Sequence, residues 1–342
     1  MLGKLNHYVA RVSVISIMAA LVAGMGGCGP GDGNLPPSQN LEIRTWDDLD
    51  DIRDNLMGNH ILMNDLDSTT AGYTELASPT INQGKGWEPI AALHPRYGLM
   101  GFEGAFDGQG YEIRDLFINR PNENGVGLFG DIWQDGVIKD IGVMNVTVIG
   151  GESVGGLAGS IGGNVYNSYS SGNVTGDGAV GGLAGINDGT VSESYSTGSV
   201  TGDGAVGGLV GVNFGTVSNS YSSGNVTGGD VVGGLVGYNK GGSVISSYST
   251  GKVIGNEDAG GLVGLNEDVV SNSFWDIETS GQATSAGGTG RTAAQMRDIA
   301  TFSGAGWNIV TVADGETNSG YIWNTINGVT YPFLSWEVQT KT

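Results

Sequence analysis

Residues 180–205, VGGLAGINDGTVSESYSTGSVTGDGA, recur almost letter for letter on either side of themselves. The leucine of this unit falls at Leu157, Leu183, Leu209, Leu235 and Leu262, and its aromatic at Tyr169, Tyr195, Tyr221, Tyr248 and Phe274. The spacing is 26, or 27 where one residue is inserted, with Gly241 or Gly242 and the neighbourhood of Glu257 as the expected insertion points. A fixed period in the range of about 20–50 residues marks a solenoid or propeller, in which each unit buries its apolar face only against its neighbours.

Within the unit the apolar positions, for example Leu209, Val217, Tyr221 and Val226, do not follow a 3.6-residue period and are separated by Gly, Asn and Ser. Two or three short strands per unit satisfy that pattern. Parallel stacking at about 4.8 Å per turn would align equivalent residues into ladders. The sequence therefore predicts an all-β fold, a right-handed parallel β-helix with short helical or irregular caps, the hand following general chirality. A leucine-rich repeat has a similar period, but its back side would not accommodate this much glycine, and a propeller blade needs about 40 residues or more. The expected core ladders are leucine, valine and stacked tyrosine, with Asn187, Asn213, Asn239 and Asn266 pairing amide to amide along the stack.

Sixty-four glycines in 342 residues are more than twice the usual share of roughly 7% and argue against long helices. The balance of 35 acidic to 14 basic residues argues against nucleic acid, which needs clustered Lys and Arg. Regular Val, Leu, Ile and Tyr positions argue against disorder.

At the N-terminus, Lys4 and Arg11 precede an apolar run from Val12 to Val22, which reads as a secretory signal too short to span a bilayer. Cys28 is the only cysteine, so an internal disulfide is excluded. The stretch AGMGGC, residues 23–28, resembles a bacterial lipobox, which implies lipidation of Cys28 after removal of residues 1–27. Residues 28–40 have the Gly, Pro, Ser and Asn composition of a flexible tether.

Residues 41–126 are expected to hold a cap and non-repeating rungs. Thr45 would cap a short helix to about Met57, and strands are expected around Ile61–Leu66, Gly86–Ala92, Met100–Phe106 and Tyr111–Asn119. The repeat array runs over residues 127–275. Residues 276–342 form a second cap, with Thr292 and Gln295 as the capping box of a helix through Phe302, and Trp307, Trp323, Tyr331, Phe333 and Trp336 as a terminal lid.

The units GGLAG and GGLVG followed by Asn, then SYS and G-x-V-x-G, resemble the GLUG motif family across about Gly127 to Trp275. FEGAFDGQG and GVGLFG before the array, and FWDIETSGQ with GGTGRTAAQM after it, are similar to regions that flank this motif. The resemblance implies a bacterial surface or secreted protein with a β-helical body in an adhesin-like setting. The motif also accompanies some streptococcal immunoglobulin-cleaving peptidases, in which a separate domain does the chemistry.

Only His7, His60 and His94 are present, none in a zinc-peptidase motif, which leaves little for a zinc or histidine-triad hydrolase. Carboxylates could serve a sugar hydrolase or lyase. Asp107, Asp115, Asp131, Asp135 and Asp140 lie near Arg96, Arg114 and Lys139 in sequence, where one cleft could gather them, while Asp107 and Asp135 also suit glycine-adjacent turns. Glu152, Asp177, Asp203, Asp230 and Asp258, with Glu257, recur near one place in successive units and form an acidic edge, either of solvated turns or of calcium ligands. The expectation is a noncatalytic, surface-anchored protein that binds an extracellular glycan or protein, touches membrane only through its lipid, and requires no cofactor beyond calcium. A carbohydrate-active enzyme and a ligand-free spacer are the alternatives.

Overall fold

The computed structural model describes residues 41–92 and 101–337. The expectations for the signal, Cys28, the tether, His94 and Arg96 lie outside the described residues.

The repeated units stack as parallel strands into a β-solenoid of about six turns. The strands form sheets of nine, twelve, six and four strands, in which every named strand pair is parallel, and a separate three-stranded sheet belongs to the C-terminal cap. The register turns sequence identity into ladders. Phe106, Ile138, Val165, Val191, Val217 and Val244 lie in line on the nine-stranded sheet. Val148, Val174, Val200, Val226 and Val253 do the same on the twelve-stranded sheet. With Leu157, Leu183, Leu209, Leu235 and Leu262 these side chains fill one continuous core and are almost completely buried. Each unit exposes its apolar set without neighbours, so only stacking removes it from water.

The four sheets meet at corners made by specific residues. At one corner Asn167, Glu193, Asn219, Ser246 and Asn272 all adopt φ between 46° and 49°, and the serine that follows each is buried. The hydroxyls of Ser194, Ser220, Ser247 and Ser273 each accept the backbone N–H of the equivalent serine one turn earlier and donate to the carbonyl two residues back. At another corner, a Cβ on Gly211 would sit 2.5 Å from the Val180 backbone nitrogen, so neighbouring strands approach to backbone contact there. The expected asparagine ladder is present: Nδ2 of Asn187, Asn213 and Asn239 donates at 2.7 Å to Oδ1 of the next amide along the stack.

One insertion accounts for both expected breaks in period. Asn213 pairs with Asn239, 26 residues on, whereas Thr216 pairs with Ser243, 27 on. The extra residue is taken up around Gly241, at φ 74° with open space about it. The pairing of Val231 with Asp258 and of Val232 with Ala259 keeps this offset, so no second insertion exists near Glu257.

The caps differ from expectation in detail. Thr45 and Asp48 make a capping box, but the α-helix is Trp46–Asp50 followed by the 3-10 turn Asp51–Asp54 and stops before Met57. Residues 86–92 form only isolated bridges at Gly86 and Ile90, because Pro89 has no N–H to give. The strands near them are Asn59–Leu62, Ala105–Asp107, Glu112–Arg114 and Phe117–Arg120. Thr292 and Gln295 cap each other, yet they open the 3-10 turn Gln295–Arg297, and the helix Ile299–Ser303 starts afresh on Asp298.

Candidate functional site

The tyrosine column is not part of the solenoid core. Glu112, Gly142, Tyr169, Tyr195, Tyr221, Tyr248 and Phe274 are in register along the outer face of the twelve-stranded sheet. The tyrosine rings stack at 4.8 to 5.0 Å with interplanar angles of 4° to 12°. Their burial comes from the C-terminal cap, which lies along this face: Tyr221, Tyr248 and Phe274 share a second apolar cluster with Phe302, Trp307, Trp323 and Leu334. The expected terminal lid is therefore a lateral cladding. The last turn is closed instead by residues 284–286, whose backbone and the Ser285 hydroxyl take up groups of Gly261, Leu262 and Val263. Strand parity explains the change: in strand Tyr195–Ser196 the outward tyrosine alternates with an inward, buried serine that is in register with the core residue Val143.

The cap is fixed to the column by polar tips. Tyr248 donates to the Pro332 carbonyl at 2.6 Å, Tyr221 to Glu337 at 2.9 Å, and Tyr331 to the buried Asp276 at 2.6 Å. Burial, the negative charge of Glu337 and the neighbouring phenols hold the Tyr221 hydroxyl well above its ordinary range. Burial likewise raises the Glu337 carboxyl to about 7, against the opposing hydrogen bonds from the Leu334 N–H and Tyr221.

At the head of the column the cladding thins. Tyr169 and Tyr195 are only part-buried. Trp336 lies against both, at 6.0 Å and 33° from Tyr169 and at 5.7 Å and 22° from Tyr195. Tyr169 leans into the space above Gly142, where a Cβ would meet its ring at 2.4 Å, and donates to Glu112. Arg114 pairs with Glu112 and stands 3.7 Å from Asp65. This aromatic head beside an ionic triad was missed in the sequence. The signal available was the glycine at position 142 of an otherwise aromatic column.

The carboxylates expected in one cleft are dispersed over three faces. Asp107 and Asp140 flank Lys139 at 2.6 and 3.3 Å on the nine-stranded sheet. Burial opposes ionisation of Asp107, but Lys139 and the Gln109 amide outweigh it and hold its carboxyl low. Asp115 belongs to the twelve-stranded side, held low by the Asn145 amide and the Ser68 hydroxyl. Asp131 lies on the six-stranded sheet, in register with Ser160. Burial raises its carboxyl to about 6, with Asp188 adding to the shift and Ser160 opposing it. Asp135 is exposed in a turn. These residues are separated because successive strands of one turn belong to different sheets.

The acidic edge resolves into two interleaved columns. The pairing of Val154 with Val180, and of Val180 with Val206, places Asp177 in line with Asp203, while Glu152, Asp230 and Glu257 share the neighbouring line and Asp258 lies one further along. Asp177, Asp203 and Asp258 are exposed. Among the described residues no three His, Cys, Asp or Glu side chains are gathered so as to hold a metal ion.

The fold defines a parallel β-helix of repeats. Residues 202–227 match the GLUG motif family, and the matched stretch spans one period of the repeat. Over 148 residues, 42% of this chain, it is 33% identical to halomucin from Haloquadratum walsbyi. Over 128 residues, 36% of this chain, it is 36% identical to a protein of Evansella cellulosilytica designated a candidate Gly-rich membrane protein. The matches span 2% and 13% of those relatives' lengths. The chain superposes with a TM-score of 0.62 on the crystal structure of a candidate immunoglobulin A1 protease from Bacteroides ovatus, over 90% of this chain and 95% of that one at 19% identity, a likeness of fold. Among the described residues no helix is long and apolar enough to cross a membrane.

Proposed function

We propose that this chain is a noncatalytic, surface-anchored β-helical protein that holds an extracellular glycan or protein on its outer face. The observation that carries this reading is the outward aromatic column with its part-open head. Stacked aromatic side chains offer large contact area at small entropic cost, and tyrosine adds a polar tip. The dispersal of the carboxylates supports the noncatalytic part, since acid–base work on a glycosidic bond needs two carboxyl groups across one site. The name of the Evansella relative supports a membrane-associated setting. Lipidation of Cys28 would supply the attachment, in line with the signal-like segment before it.

Full-length protein incubated with a broad glycan panel, with and without calcium, tests this reading by retention and by newly formed sugar ends. Retention without new ends is expected. New ends would make it a carbohydrate-active enzyme. Silence in this assay and against extracellular proteins would leave a spacer. Calcium dependence that is lost on changing Asp177 and Asp203 to Asn would identify the acidic edge as ion-binding.

A further inference from the structure

We infer that the head of the aromatic column is a subsite for a neutral pyranose, built from Trp336, Tyr195 and Tyr169 with Glu112, Arg114 and Asp65. The inference rests on the glycan branch of the function proposed above and gives that branch a location and a ligand class.

The two ends of the column have different surroundings. Tyr248 and Phe274 at its foot are 3% and 4% exposed beneath the cap, and the phenol of Tyr248 is bonded to the cap backbone. At the head Tyr169, Tyr195 and Trp336 all remain part-exposed. Beyond Tyr169 the column has no further ring, only Gly142 and then Glu112. Aromatic surface thus ends against polar surface within two turns, which suits a ligand with one apolar face and a hydroxylated rim.

The polar partners select the kind of ligand. Among the described residues, the Trp336 indole N–H is enclosed without a hydrogen-bond partner, while the two oxygens of Glu112 are engaged by Arg114 and Tyr169 and hold these groups at the rim of the rings. An enclosed indole N–H leaves a donor unused, which is costly unless something supplies an acceptor. Glu112 and Asp65 accept, while Arg114 and the indole donate. Sugar hydroxyls can do both, and the C–H face of a pyranose can lie against aromatic rings. One cation between two carboxylates leaves the triad net negative, on a chain of formal charge −21. Uronate, sulfated and phosphorylated polymers are therefore disfavoured by like charge.

The test uses the full-length protein in calorimetric titrations with cellohexaose, mannohexaose and, as the anionic comparison, trigalacturonate. Binding of at least one neutral hexasaccharide and none of trigalacturonate is expected. Trp336→Ala should weaken that binding by about tenfold, the upper scale of one aromatic contact, and Trp336→Phe should restore most of it. Glu112→Gln, on the solenoid itself, gives a second reading if loss of Trp336 loosens the cap, which near-ultraviolet circular dichroism would reveal. Neutral-sugar binding that neither Trp336→Ala nor Glu112→Gln changes would overturn the subsite and leave glycan binding elsewhere on the molecule intact. Preference for trigalacturonate would overturn the ligand class. If wild-type protein bound none of the three probes but retained other glycans on the panel, the neutral-pyranose assignment alone would fall; retention of no glycan would remove the glycan branch with it.

Discussion

Glu193 occupies a corner that its side chain does not favour. The equivalent residues Asn167, Asn219 and Asn272 share its left-handed backbone, at φ near 46° to 49°, and asparagine enters that region far more readily than glutamate. Glu193 is also partly desolvated, which raises its carboxyl above the ordinary range. Both effects work against the wild-type residue. Glu193→Asn is therefore expected to stabilise the fold by about 0.5–1 kcal/mol, the scale of relieving one unfavourable backbone conformation. Thermal unfolding monitored by far-ultraviolet circular dichroism checks it, and an unchanged or lower midpoint would show that the corner does not limit stability. Asn145 is a related case in a different role: at φ 53° it donates its amide to Asp115 at 2.7 Å, so the left-handed turn there is tied to a side-chain bond.

At the scale of one element, the asparagine ladder behaves as a chain with two unlike ends. Asn187 begins it, and its Oδ1 is enclosed without a partner among the described residues because Ile161 stands in register where another amide would donate. Inside the ladder every Oδ1 is matched. Asn213→Leu would strip the acceptor from Asn187 Nδ2, which retains the Thr216 carbonyl, and the donor from Asn239 Oδ1. Leaving buried amide groups short of partners costs about 1–3 kcal/mol each, so a loss of about 2–4 kcal/mol is expected. A fall in the urea midpoint with little change in slope would confirm it. This ladder was legible in the sequence because its members fall at one position of a strict period, and so was the stacking of Val on Val. The outward direction of Tyr195 and Tyr221 was not, since an outward ring covered by another segment has the same local pattern as a core ring. Nor were the contacts of Trp336, Glu337 and Glu112, which join residues far apart in the chain and carry no periodic signal. In the stretch 86–92 the apolar pattern resembles a strand, but Pro89 lacks the N–H that a ladder needs, and only isolated bridges form.

For the whole molecule, the solenoid and its cladding respond differently to pH. The solenoid core is apolar and its ladders are neutral, whereas the cap closes on the column through Glu337, whose carboxyl is raised to about 7 from an ordinary value near 4.5. The groups facing it are the phenols of Tyr195, Tyr221 and Tyr248 and the Leu334 N–H; Tyr221 and Leu334 bond to it directly. A carboxyl raised in the folded state binds its proton there while the opened state has already lost it, so stability falls as pH rises from about 4.5 to about 7 and is flat beyond. With Glu337 partly exposed, the full shift is discounted to on the order of 2 kcal/mol. Asp131, raised to about 6 by burial, has the same sign but sits on the six-stranded sheet. His60, lowered by burial, has the opposite sense and penalises acid. A readout local to the cap separates these contributions. Hydrogen exchange in residues 309–311 and 323–325, the strands packed beside Trp307 and Trp323, is expected to be slower at pH 5 than at pH 8 after correction for intrinsic rates. Glu337→Gln should abolish that difference while leaving exchange in Val191 and Val217 unchanged. If the difference survived in Glu337→Gln, the pH response of the cap would have to come from another group, and the bond between Tyr221 and Glu337 would be a passive contact.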